Sequence, residues 1–197
     1  MKKALKQSPK IPQKESPLKL VKSPERFLTK SRFKVAYECP AKLNYVGDPT
    51  YGDNNKDNEF LKALAEGGFQ VGALAKLYHP GGVEITTRNK VEAVAKTKSL
   101  LAEKTNAIIY EAAVMYENLY ILVDVLLRKG DTIELIEVKS KSIDPSLKDQ
   151  FFKKKPNRNG ELELYAAWEP YLVDIAFQKY VTQKAFPEFK IKSFLML

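Results

Sequence analysis

The chain has 197 residues, 44% hydrophobic, 11% aromatic and 29% charged, enough apolar material for one domain core with room for a tail. Its single cysteine, Cys39, and single histidine, His79, exclude an internal disulfide, a zinc knuckle and any multi-histidine metal site. No apolar run reaches the ~18–20 residues that a membrane helix needs, and most of the formal net charge of +9 sits in residues 1–30, where nine basic groups face only Glu15 and Glu25.

Residues 1–27 carry Ser8-Pro9, Pro12, Ser16-Pro17 and Ser23-Pro24 among lysines. Frequent proline and few large apolar groups predict an extended, disordered tail. It reads either as a basic arm that meets phosphates in a salt-dependent way or as a solvated leader. Prolines and serines stand where a secretory signal would have its apolar core, so a reducing, cytoplasmic compartment is expected.

The folded domain is read as residues 28–197. Thr29 or Ser31 can cap a helix carrying Phe33, Val35, Ala36 and Tyr37, which Pro40 ends, and a short second helix runs through Leu43 to Tyr45. Residues 47–58, rich in Gly, Pro, Asn and Asp, form a loop. Phe60, Leu61, Leu64 and Ala65 give a helical stripe that Gly67-Gly68 breaks or caps. Val71, Leu74, Ala75 and Tyr78 resume the spacing up to Pro80-Gly81-Gly82, and Asn89 can cap a third helix along Val91, Val94, Ala95, Lys98, Leu101 and Ala102.

The period then changes. Residues 107–115, 119–128 and 132–140 read as three consecutive strands, the last two joined at Lys129-Gly130-Asp131 as a hairpin. Residues 141–160 form a long polar loop, residues 161–184 a helix that Pro170 breaks or restarts, and residues 189–196 a final strand. The chain stops close to that strand, so a continuation beyond residue 197 is expected, and with it a possible partner region. The order gives an α/β fold: an αβββαβ core with a mixed, mainly antiparallel central sheet flanked by helices.

Three charges fall where strands should bury apolar groups. Asp124 interrupts the run 119–127, and Glu137 and Lys139 share one face of the third strand, about 7 Å apart. If the turn centres on Gly130, hairpin pairing brings Asp124 within reach of Glu137. Two carboxylates and an ammonium on one sheet face are costly to bury unless they pair or bind a cation. Oxygen-only ligation suits Mg²⁺ or Mn²⁺, and a lysine beside it can orient a water or neutralise charge developing on a phosphate. Lys153, Lys154 and Lys155 are either a solvated run or a phosphate clamp.

Asp124 followed by Glu137-Val138-Lys139 resembles the PD-(D/E)XK nuclease superfamily in its loose form, D…ExK. Further pieces are similar to its RecB-type branch, which includes the CRISPR-associated exonucleases, and to a bacterial family within it. They are Ser31-Arg32-Phe33 with Cys39-Pro40, Gly68 with Val71-Gly72-Ala73-Leu74-Ala75, Tyr110-Glu111-Ala112, Val123-Asp124-Val125-Leu126 and Asp174-Ile175-Ala176-Phe177-Gln178.

The resemblance implies hydrolysis of nucleic-acid phosphodiesters, DNA before RNA, leaving 5′-phosphate and 3′-hydroxyl ends. It implies Asp124, Glu137 and the Val138 carbonyl as metal ligands, Lys139 as the catalytic lysine, Glu111 as a supporting acid, and Gln178 and Tyr180 on the late helix. Val123 stands where many members have proline, and Lys76 where many have a histidine ligand. Cys39 lacks the three late cysteines of cluster-bearing members, so no iron–sulfur cluster is expected. Two other readings fit the same residues: a nucleic-acid-binding module without turnover, and a protein-interaction domain in which Asp124 and Lys139 form a structural salt bridge. Cys39 itself is read as a small core residue and His79 as a loop residue.

Overall fold

A computed structural model of the protein describes residues 26–51, 58–144, 146, 151–153, 156 and 158–197, without the side chains of residues 60–65. The expected tail, apart from Arg26 and Phe27, therefore lies outside the described residues, as do Lys154 and Lys155.

The strands are β1 (Leu28–Thr29), β2 (Val83–Glu84), β3 (Asn106–Tyr116), β4 (Leu119–Lys129), β5 (Thr132–Val138) and β6 (Lys190–Met196). The α-helices are α1 (Lys30–Glu38), α2 (Glu59–Tyr78), α3 (Lys90–Glu103) and α4 (Glu169–Ala185), with a 3₁₀ turn at Pro40–Asn44. From α3 onward the order is αβββαβ, as expected. The sheet runs β2-β3-β4-β5-β6, with β1 beside the start of β4. The β3–β4 and β4–β5 ladders are antiparallel, while β1, β2 and β6 join in parallel. The sheet is thus more mixed than period-two reading alone conveyed, because the two-residue strands β1 and β2 leave no alternation to read.

Local chemistry sets the boundaries. Thr29 caps α1: its backbone is extended and its hydroxyl accepts from the Arg32 N–H at 3.4 Å. The Asn89 side chain accepts from Val91 and Glu92 at the start of α3, 3.0 and 3.2 Å away. Pro170 lies in the first turn of α4, where its missing N–H is harmless, so it restarts the chain as a helix and does not break one. The stretch before it is not helical: Leu164 pairs with Phe152 in an isolated antiparallel bridge.

Gly67 and Gly68 do not break α2. Both sit within the continuous helix and neither has a positive φ. Two glycines cost roughly 1 kcal/mol each relative to alanine, which packing can offset. The helix ends instead at Tyr78, and the turn after it passes through Gly81, with φ +83°, and Gly82, where a β-carbon would come within 2.4 Å of the Tyr110 ring. Cys39 is exposed, contrary to its reading as a core residue. It terminates α1, with its N–H donating to Val35 O.

The sheet is covered on both faces. On one, α3 and α4 bury Ala93, Leu101, Ile175 and Val181 against Ile109, Ile121, Leu126, Ile133 and Leu135. On the other, Ala75 of α2 packs with Tyr110, Val125, Leu127 and Ile136. Phe33 of α1 stacks flat on Phe177 of α4, with centroids 4.1 Å apart, and so fixes α1 beside the mouth of the sheet.

Candidate active site

The site forms where the central ladders stop. The β4–β5 hairpin closes at Lys129↔Thr132 around Gly130, whose φ is +58°, and pairs regularly as far as Val125↔Ile136. Asp124 and Glu137 would be the next pair, and there the strands part. Across β3–β4, the pairs Tyr110↔Val125 and Ala112↔Val123 flank an interruption at Glu111 and Asp124. Glu111 has φ +53°, in the left-handed region, which costs a residue with a β-carbon about 1–2 kcal/mol. Glu111, Asp124 and Glu137 thus occupy adjacent positions on three neighbouring strands.

All three line one cavity of about 610 Å³ beneath α2, together with Lys30, Lys76, Val138 and Lys139. Glu137 is fully buried. Its Oε1 and Oε2 each accept from Lys30 Nζ at 3.0 Å, Oε2 also accepts from Gln178 Nε2 at 2.6 Å, and Lys139 Nζ donates to Oε1. Asp124, about a quarter exposed, accepts the Val138 N–H on Oδ2 at 2.7 Å and lies 3.8 Å from Lys30. Lys139 follows the last residue of β5 instead of lying within it, held by its N–H to Met196 O at 2.9 Å. A second acid stands behind the first: buried Asp174 lies 2.7 Å from Lys34 and 3.4 Å from Lys139.

The electrostatics separate the acids. Burial raises the Glu137 carboxyl, but Lys30 and Lys139, with the hydrogen bonds from Lys139 and Gln178, outweigh it and hold it down at about 2. Burial, then the Glu137 charge, raises Asp124, against the pull of Lys30. Burial, then Asp124, raises Glu111. Burial pulls Lys139 down, but the Glu137 charge and hydrogen bond, and then Asp174, lift it above its ordinary value, so it is an ammonium at neutral pH.

Asp124, Glu137 and Lys139, which the strand spacing groups, line one cavity together with Val138 and Glu111, which the resemblance implies. Gln178 stands behind Glu137 and orients it without lining the cavity. Tyr180 is half exposed on α4, near Lys184, and Lys153 pairs with Glu163 at 2.6 Å on the surface. Neither lines this cavity. Lys76, at the position where the resemblance implies a histidine, does line it and pairs with Glu84 at 2.7 Å. His79 lies past the end of α2, in the wall of another cavity.

Lys30 and Lys34 escape the sequence reading, and Asp174 enters it as part of a resembling segment without a role of its own. Asp174 carries a usable signal, since it lies one turn before Gln178 on the buried face of α4. Among the described residues no three acidic, histidine or cysteine side chains form a preassembled metal centre. The ammonium of Lys30 lies between Asp124 and Glu137. No helix of the described residues is long and apolar enough to cross a membrane. No family model, curated protein or solved structure matches the chain.

Proposed function

We propose that this protein is a divalent-metal-dependent nuclease of PD-(D/E)XK type that hydrolyses phosphodiester bonds of nucleic acid, DNA before RNA. The observation that carries the reading is the parting of β4 from β5 at Asp124 and Glu137, with Lys139 beside them and Glu111 opposite, around one cavity. Nothing in the closed part of the hairpin requires three acids there.

The donor set suits Mg²⁺ or Mn²⁺. Asp124 and Glu137, with Val138 and Glu111 beside them, offer hard oxygens in one cavity. When bound there, such an ion polarises a phosphate oxygen and acidifies water.

The chain's own residues supply the rest. Lys139, kept charged by Glu137, presents an ammonium to the cavity, where it orients the attacking water or neutralises charge developing on the phosphoryl oxygens. Water oxygen adds to phosphorus and loses a proton to solvent as the bond to the leaving oxygen breaks, and that oxygen takes a proton from solvent to become a hydroxyl. Gln178 and Asp174 hold Glu137 and Lys139 in register from behind.

The test is cleavage of fluorescent single- and double-stranded DNA in Mn²⁺. The wild type cuts, and Asp124→Ala and Lys139→Ala each lose activity on the order of 10³-fold. Absence of cleavage, with salt-sensitive DNA binding that survives both substitutions, would replace the nuclease with a binding module.

A further inference from the structure

Lys30, the first residue of α1, has its Nζ 3.0 Å from each carboxylate oxygen of Glu137 and 3.8 Å from Asp124 Oδ1. These are the two carboxylates assigned above to the divalent ion. We infer that Lys30 is a resident cation: it fills the position between Asp124 and Glu137 in the metal-free protein and is exchanged for the divalent ion. Its released ammonium then faces the cavity and the anionic backbone of the substrate. This rests on the metal-dependent reading of the site.

Shared oxygens require an exchange. Lys30, Lys34 and Lys139 pair with Asp124, Glu137 and Asp174, and Glu111 adds a further acid to the cavity. A dication between Asp124 and Glu137 would meet the Lys30 ammonium at the same oxygens, beside fully buried Glu137, where attraction and repulsion are both strengthened. One ammonium must give way.

The partners single out which one. Lys34 lies 2.7 Å and Lys139 3.4 Å from Asp174, an acid that an ion between Asp124 and Glu137 does not contest. Among the described residues the carboxylate contacts of Lys30 are Asp124 and Glu137 alone. The same ion that takes those oxygens takes everything that holds Lys30.

Lys30 also has a path out. Its side chain is 24% exposed and lines the cavity. It stands on the first turn of a helix that Thr29 caps and that Phe33 anchors on Phe177, so the long stem can swing while the backbone stays. The metal-free site is therefore stable without a metal, and metal affinity is lowered by the fraction of time that Lys30 fills the position.

The test is thermal melting of the full chain against MnCl₂, for wild type and Lys30→Met. Without metal the variant melts lower, because Asp124 and Glu137 lose their shared cation. Mn²⁺ then raises its Tm by more than that of the wild type, with a midpoint roughly tenfold lower if Lys30 fills the position about 90% of the time. Equal midpoints and equal shifts would make Lys30 an ordinary structural partner and overturn the exchange. No response to Mn²⁺ in either protein would overturn the metal reading itself and the exchange with it.

A second measurement does not depend on the variant folding. In wild type, acylation by an amine-reactive reagent, mapped on peptides, should rise several-fold at Lys30 at Mn²⁺ concentrations that saturate the melting shift, while Lys34 stays unchanged. Unaltered Lys30 reactivity under those conditions would also overturn the exchange.

Discussion

Two cavities of similar size border different stretches of β3 and β4, one past the end of α2 and one beneath it. One, of about 560 Å³, is walled by residues 106–109 of β3 and 127–129 of β4, where the ladder is regular. Among the described residues that line it there is no carboxylate; its charged side chains are Lys104, Arg128 and Lys129, set among Leu100, Ile108, Ile109 and Leu127. The other, of about 610 Å³, opens where Glu111, Asp124 and Glu137 break the ladders. A complete ladder satisfies its own backbone and buries apolar groups on both faces. An interrupted one leaves polar groups to be matched by side chains or ligands. The hairpin is stabilised at its closed end and carries its chemistry at the open end.

The sharpest way to separate the two ends is to damage the closed one. Leu135 is fully buried beside Ile133 and Leu126. Leu135→Ala should lower unfolding stability by about 2–5 kcal/mol in denaturant titration while leaving the Mn²⁺ affinity of the folded fraction unchanged. Loss of metal affinity in parallel with stability would mean that the two ends are not independent.

A smaller effect is expected behind the open end. Gln178→Leu removes the 2.6 Å hydrogen bond to Glu137 without touching the cavity. It should cut Mn²⁺ affinity or cleavage by about 10–100-fold, the range found for groups that orient a ligand. Gln178→Glu should not rescue it, since a second carboxylate would face Glu137.

The smallest effect is a slope with pH. Glu137, held at about 2, adds stability that is complete above the unfolded carboxyl value of about 4.3 and is lost only as pH falls toward 2. Asp124 and Glu111 are raised, so their contribution is present below the unfolded value and is lost as pH rises through their folded values. Above pH ~4.5, and below the alkaline range where the raised Lys139 titrates, these two tilt the site. The metal-free Tm should carry a downward component with rising pH that Asp124→Asn reduces and Mn²⁺ cancels. A pH profile indifferent to both would sever the raised carboxyls from the metal position.

The contrast also marks what was legible in the sequence. Period two, the Gly130 turn and a lone acid in an apolar run suffice to place Asp124 opposite Glu137, because a hairpin's register follows from its turn. Asn89 and Thr29 announce their helices through side-chain caps. Lys30 was counted with the charges of the tail, since its contact with Glu137 joins residues 107 apart and leaves no local trace. Gly67-Gly68 misled in the opposite direction, as a local preference that the continuous helix overrides. Tyr180 and Lys153 carry the right chemistry for phosphate or base contact, but α4 and the Phe152–Leu164 bridge hold them on the surface, away from the cavity.

The most direct measurement is a calorimetric Mn²⁺ titration of wild type and Asp124→Asn, with nucleic acid absent. Saturable binding by the wild type that disappears in Asp124→Asn is the predicted result. Binding that is absent from the wild type, or that survives unchanged in Asp124→Asn, would contradict a metal held between β4 and β5.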